Sequence, residues 1–78
     1  MVDKWEKHRM TNPEIGPGGI TRWFNSNRQL HREDGPAVIW ADGCKFWYQN
    51  GEQHREDGPA VEMISGTKEW YIKGQYII

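Results

Sequence analysis

One eight-residue string occurs twice in this chain. His31-Arg32-Glu33-Asp34-Gly35-Pro36-Ala37-Val38 and His54-Arg55-Glu56-Asp57-Gly58-Pro59-Ala60-Val61 are identical and lie 23 residues apart. A weaker copy, His8-Arg9-Met10-Thr11-Asn12-Pro13-Glu14-Ile15, stands another 23 residues upstream, so all 3 histidines fall at one place in a repeating unit. Each copy leads to a glycine and then an aromatic pair: Gly19 with Trp23-Phe24, Gly43 with Trp47-Tyr48, Gly66 with Trp70-Tyr71. Self-similarity at this period marks one supersecondary unit stacked on its neighbours. In 78 residues it leaves room for one domain. The unit boundaries are a degenerate capping repeat over 5–27, then repeats over 28–50 and 51–78. Degenerate end units are common in such arrays.

The unit is a β-hairpin. No segment carries apolar residues at helical spacing, whereas turn pairs recur at Asp34-Gly35, Asp42-Gly43, Asn50-Gly51, Asp57-Gly58, Ser65-Gly66 and Lys73-Gly74. Between them lie short β-prone runs over 36–41, 45–49, 59–64 and 67–72. Asn-Gly and Asp-Gly suit hairpin turns because both residues accept positive φ. The expected fold is all-β: a single-domain antiparallel meander of three β-hairpin repeats. In the first copy Ile15 aligns with Val38 and Val61, Asn12 takes the glycine place in a left-handed conformation, and Gly16-Pro17-Gly18-Gly19 is too rich in glycine for a strand.

A chain this short has a small core, and aromatic residues supply much of it: 5 Trp, 3 Tyr and 2 Phe. Alternation along the strand places Trp23, Trp47 and Trp70 on one face and Phe24, Tyr48 and Tyr71 on the other. One sheet does not bury both ladders. The second ladder either stabilises the sheet by cross-strand stacking or serves as a platform for a partner. At the end of the chain Tyr76-Ile77-Ile78 stands where Gln53-His54-Arg55 stood, an apolar strand that needs cover. The cover is the stretch around Trp5-Glu6-Lys7 or a second copy of the chain, which makes Tyr76, Ile77 and Ile78 a candidate homodimer edge.

The His-Arg-Glu-Asp string has the residues of a catalytic site, but its repetition argues for a structural role. Stacked repeats translate the histidines along a ladder instead of converging them on a metal, and no nucleophile motif or phosphate loop accompanies them. No catalytic residue, metal or cofactor is expected. In the structural reading Asp34 and Asp57 bond the turn backbone, Gly35 and Gly58 supply a permissive conformation, Pro36 and Pro59 open the next strand, and His and Arg pair with the adjacent acids. In the functional reading His8, His31, His54, Arg9, Arg32 and Arg55 join Trp23, Trp47 and Trp70 as partner-binding residues, with the arginines gripping an anionic partner. Arg9 lacks neighbouring acids, so Arg9→Ala is expected to weaken binding more than Arg55→Ala. Charge is balanced, 10 basic residues against 11 acidic, which argues against a general nucleic-acid or membrane-surface binder. No apolar run reaches a membrane span and no signal peptide opens the chain. The single cysteine, Cys44, excludes an intramolecular disulfide, and the compartment reading is a reducing cytoplasm.

The run Trp47-Tyr48-Gln49-Asn50-Gly51-Glu52-Gln53-His54-Arg55-Glu56-Asp57-Gly58-Pro59-Ala60 resembles a repeat of bacteriophage and giant-virus proteins that is itself similar to the MORN repeat. The resemblance covers about residues 20–76 and departs in the first copy, where Asn25-Ser26-Asn27 adds a residue and the Asn-Gly turn is lost. It implies a single-layer hairpin-repeat sheet without catalytic residues, acting as a scaffold for contact with other molecules. It further implies a viral origin and, by analogy, a small inhibitor of a host protein or defence complex such as a CRISPR–Cas system, working in the bacterial cytoplasm. The rival expectations are a dimeric protein that binds or sequesters a small anionic ligand such as a nucleotide, and a virion component.

Overall fold

The computed structural model describes residues 13–77. Nine short strands run through them: β1 (Glu14–Ile15), β2 (Thr21–Arg22), β3 (Val38–Ile39), β4 (Lys45–Phe46), β5 (Tyr48–Gln49), β6 (Glu52–Gln53), β7 (Val61–Glu62), β8 (Lys68–Ile72) and β9 (Gln75–Ile77). Seven form one sheet in the order β1-β2-β3-β4-β7-β8-β9, every pair antiparallel, and β5-β6 is a side hairpin. The fold is the expected all-β meander, drawn out to 44 × 27 × 17 Å.

Two turn types alternate along it, each with a local cause. At Trp40–Gly43 and Met63–Gly66 the glycine N–H returns to the first carbonyl, and the first N–H donates to the residue after the glycine. Gly43 (φ 102°) and Gly66 (φ 98°) hold the left-handed place of a three-residue hairpin loop. Asp42 Oδ1 accepts from the Cys44 N–H at 3.1 Å, and Ser65 Oγ does the same for Thr67. Gly16–Gly19 makes the same turn, so the glycine-rich segment is a hairpin loop in the first copy too. The second turn type is the two-residue loop Asn50-Gly51 (φ 49° and 85°) and Lys73-Gly74 (φ 50° and 81°), with positive φ at both positions. In the first copy Asn25–Arg28 replaces it, with the Asn25 Oδ1 accepting from the Asn27 and Gln29 N–H groups.

Register corrects the alignment of the first copy. Residues paired across the ladders share a face, and one row reads Glu14, Arg22, Val38, Phe46, Val61, Glu69. Glu14, not Ile15, therefore stands in the Val38 row, and Ile15 is 68% exposed. Glu14 follows Pro13 directly, whereas Ala37 lies between Pro36 and Val38, so in the first copy the residue one place after the proline takes this face. The other row reads Ile15, Thr21, Ile39, Lys45, Glu62, Lys68. Strand alternation in β8 sets Trp70 with this second row and Tyr71 with the first. Among the described residues the buried set is small: Ala37, Val38, Cys44, Ala60 and Val61.

The seam between repeats is a repeated hydrogen-bond set. Ala37 accepts from the Trp23 N–H and donates to the Phe46 carbonyl, both at 2.8 Å, so one residue ties two aromatic strands. Ala60 does the same between Trp47 and Glu69, again at 2.8 Å. These alanines are fully buried.

Candidate functional site

The loops at 31–36 and 54–59 place the predicted residues side by side on the second face. Arg32 lays its guanidinium over the Trp23 ring at 3.8 Å, and Arg55 lies over Trp47 at 3.9 Å. Each guanidinium is then tied down. Arg32 donates from Nε to Asp34 at 3.2 Å and from Nη1 to the Pro36 carbonyl at 3.2 Å. Arg55 donates from Nε to Asp57 at 3.1 Å, and its Nη1 reaches the Pro59 carbonyl at 3.0 Å and Glu62 at 3.1 Å. Asp34 and Asp57 thus bond the arginines and not the turn backbone, which revises the sequence expectation. The reason is charge: a carboxylate beside a guanidinium makes a stronger hydrogen bond than it makes to a neutral N–H.

Gly35 and Gly58 also have a different role from the one expected. Neither has positive φ. A Cβ on Gly35 would stand 3.1 Å from the Arg32 Cζ, and one on Gly58 would stand 2.9 Å from the Arg55 Cζ. At both positions a guanidinium lies against the glycine backbone as well as over a tryptophan, so a side chain there would have to displace the arginine.

The histidines close the other side of each seam. His31 Nδ1 accepts the Asn50 main-chain N–H at 3.0 Å, and His54 Nδ1 accepts that of Lys73 at 2.9 Å. Nε2 faces Glu33 at 2.7 Å in one copy and Glu56 at 3.4 Å in the other. In both copies one ring nitrogen thus meets the neighbouring tip while the other faces a glutamate of the same loop. The expected pairing of His and Arg with neighbouring acids is therefore present in both complete copies.

Between the two loops lies an open groove of about 710 Å³, walled by Arg32, Trp47, Gln49, His54 and Arg55 and by the carboxylates of both loops. Glu33, Asp34, Glu56 and Asp57 point outward, all more than three-quarters exposed. Four carboxylates against two already paired guanidiniums give the groove an acidic rim. Among the described residues no group of three or more His, Cys, Asp or Glu side chains is arranged to hold a metal ion. No helix among them is long and apolar enough to cross a membrane.

Trp23 and Trp47 are covered by arginine, whereas Trp70 is 46% exposed. Tyr76 and Ile77 of the proposed dimer edge are also exposed, and Tyr76 rests its ring on Tyr71 at 5.3 Å. Burial, then the nearby Glu69 carboxylate, raises the Tyr71 phenol above its ordinary range. His8, Arg9, Asn12, Trp5 and Ile78 lie outside the described residues. At the first repeat the Arg28 guanidinium covers Phe24 at 4.2 Å and pairs with Glu14, whose carboxyl its hydrogen bond holds below the usual range.

Sequence reasoning did not single out a second exposed group. Trp40 (50% exposed), Met63 and Ile64 (65%) crowd two neighbouring hairpin loops. Trp40 leans on Phe46 at 6.0 Å, and the Ile64 Cγ2 lies where a Cβ on Gly43 would meet it, at 3.3 Å. The available signal was their place: large apolar residues beside turn glycines belong to loop tips. No family model, no curated protein and no solved structure matches the chain.

Proposed function

We propose that the chain is a non-enzymatic interaction module that binds and inhibits a host protein or defence complex, phage-encoded and acting in the bacterial cytoplasm. The observation that carries this reading is the exposed apolar ridge of Trp40, Met63 and Ile64 on adjacent loop tips. A run of large apolar side chains on such a surface is what partner binding uses. The absence of catalysis from this reading is supported by the state of the histidines and arginines. In both complete copies their polar atoms are committed to the fold. The viral source and the inhibitory role rest on the sequence resemblance.

The test is capture from bacterial lysate with the tagged chain, beside a Trp40→Ala/Ile64→Ser variant. These side chains are exposed, so the variant is expected to melt with the parent. One stoichiometric host protein, lost in the variant, supports the reading. Undiminished capture by the variant moves the contact elsewhere, and a bait without any partner refutes it.

A small-ligand role is the second reading, favoured by the room in the groove beside Trp47. Its acidic rim opposes an anion, so nucleotides are expected to leave the melting temperature unchanged. A nucleotide-induced rise would reverse the ranking of the two readings.

A further inference from the structure

We propose that β9 is a self-complementary edge through which two copies of this chain pair, antiparallel about a two-fold axis at Tyr76. Among the described residues β9 ends the seven-stranded sheet and pairs with β8 alone. The repeat shows which of its main-chain groups face outward. Leu30, Gln53 and Tyr76 stand at one place in the unit, 23 residues apart. The Leu30 carbonyl accepts the Gly51 N–H and the Gln53 carbonyl accepts the Gly74 N–H, both at 2.9 Å, so the main chain at this place faces the next hairpin and not its own. His54, one place on, turns back and donates its N–H to the Trp47 carbonyl. Main-chain groups alternate along a strand, so Gln75 and Ile77 bond β8 while the N–H and carbonyl of Tyr76 point away from the sheet.

Such an edge fits itself. When two of these strands lie antiparallel with Tyr76 opposite the partner's Tyr76, each donates its N–H to the other's carbonyl, and one residue makes both bonds of the pair. That is the isologous contact of a two-fold dimer. No side chain of the strand opposes it with charge, since its residues are Gln75, Tyr76 and Ile77. Native edge strands are protected by charged residues or by proline, and β9 has neither. The opposite edge of the described sheet shows the contrast. There β1 has two residues, follows Pro13 directly and carries Glu14 paired with Arg28. Of the two described edges only β9 is suited to pairing, and it pairs with its own kind, so the assembly stops at two copies.

Both faces of the strand gain cover. Tyr76 is 56% exposed and rests on Tyr71 with ring centres 5.3 Å apart. Opposed residues share a face, so pairing sets Tyr71, Tyr76, the partner's Tyr76 and the partner's Tyr71 in one row. On the second face Ile77, as exposed as Trp70 across from it, stands opposite the partner's Gln75. In the interior an arginine lies over each tryptophan, as Arg55 does eight residues after Trp47, whereas the residue eight places after Trp70 is Ile78. The third tryptophan therefore lacks at that place the cover the repeat gives the other two. β9 starts from the Lys73-Gly74 tip, at the opposite end of β8 from the Met63–Gly66 loop, so pairing here leaves Trp40 and Ile64 to the host contact proposed above. The two inferences stand on different residues and fail separately.

The test is sedimentation of the 78-residue chain over a dilution series, for the native sequence and for Tyr76→Lys and Tyr76→Glu. The native chain is expected to double its mass as concentration rises and to return to the single-chain mass on dilution. Each variant alone sets like charges opposite one another across the axis and is expected to keep the single-chain mass. Mixed in equal amounts, the two variants set lysine against glutamate, and the doubled mass should return. That rescue arises only where position 76 faces itself. A native chain of constant single-chain mass, a mass that grows past two copies, a dimer that either variant keeps, or a mixture that stays single would overturn the proposal. If a variant does not fold, nuclear magnetic resonance of the native chain decides. The Tyr76 main-chain N–H signal should move with concentration, and further than those of Gln75 and Ile77; a Tyr76 signal that stays fixed overturns the pairing.

Discussion

Replacing Gly58 by alanine tests whether the arginine sandwich is what holds the seam. The backbone at Gly58 is not in the positive-φ region, so alanine meets no conformational barrier there. Its methyl group would lie 2.9 Å from the Arg55 Cζ and 3.1 Å from Nε and Nη1. The guanidinium also lies 3.9 Å from the centre of the Trp47 ring, so giving way to the methyl group disturbs that contact. Leaving the ring costs about 0.5–2 kcal/mol. Losing the bond to the Pro59 carbonyl costs about 1 kcal/mol, and the partly exposed pairs with Asp57 and Glu62 add about 0–1 kcal/mol. Against this loss of about 1.5–4 kcal/mol stands the gain of about 0.4–1 kcal/mol that alanine brings by restricting the unfolded chain. Gly58→Ala is therefore expected to destabilise the native chain by about 0.5–3.5 kcal/mol in urea unfolding followed by tryptophan fluorescence. In an Arg55→Ala background the steric term vanishes and the sign reverses: the same substitution should stabilise by about 0.4–1 kcal/mol. Gly66→Ala is the control. It is strained by a φ of 98° with nothing within 4 Å, so its cost should be the same in both backgrounds. Additive effects of Gly58→Ala and Arg55→Ala would refute the sandwich.

Three further outcomes are expected. Lys73→Asn should raise the urea midpoint, because Lys73 sits at φ 50° in the loop position that Asn50 fills in the preceding copy; an unchanged or lower midpoint would show that the lysine side chain contributes more than the turn. Val61→Ala, at a side chain 2% exposed, should cost about 2 kcal/mol, while Ile15→Ser should stay within about 0.5 kcal/mol; a large loss at Ile15 would restore it to the core. One phenol, that of Tyr71, should ionise above the others in an absorbance titration, since burial and Glu69 oppose its charge. Its contribution to stability is then complete below the ordinary tyrosine range and lost as pH rises through the raised value; Tyr71→Phe should remove that late component, and its persistence would assign it elsewhere.

The period made the fold legible, because each kind of turn needs its own residues. Asn50-Gly51 and the glycines at 43 and 66 fix where the chain reverses, and between such points only antiparallel strands fit. Two local readings failed for one shared reason. Gly35 and Gly58 follow aspartate, which in a string reads as a turn, but their cause is a guanidinium brought back from three positions upstream. Ile15 matched Val38 by count, but one fewer residue after Pro13 shifts the pleat by one. A string records spacing, whereas side-chain direction is set by pairing partners that only the folded chain supplies. The exposed loop-tip group was hidden likewise: Trp40 and Ile64 lie 24 positions apart and in different units, and only stacking brings Ile64 against Gly43 in the loop that Trp40 opens.

The identity of the two eight-residue strings now has a physical cause at nearly every position. Histidine holds the next tip, arginine covers a tryptophan, aspartate fixes the arginine, and glycine leaves it room. The proline carbonyl receives the guanidinium, alanine joins two strands, and valine fills the core. Only Glu33 and Glu56, exposed and bonded solely to histidine, contribute little. A string so fully used in building the seam has few atoms left for a partner. What the two copies do not share lies elsewhere: Trp40 against Met63, Ala41 against Ile64, Ile39 against Glu62, Asn50 against Lys73. Of these, Asn50, Lys73 and Glu62 take part in the seam, whereas Trp40, Ala41, Met63 and Ile64 belong to the loop tips beside it and are free to vary in chemistry at small cost to the fold. Recognition of one partner in preference to others needs such an asymmetric surface, because two identical units present the same contact twice. The binding proposed for this chain therefore falls on the loop tips, where Trp40 and Ile64 break the repeat, and not on the His-Arg-Glu-Asp strings that first draw attention.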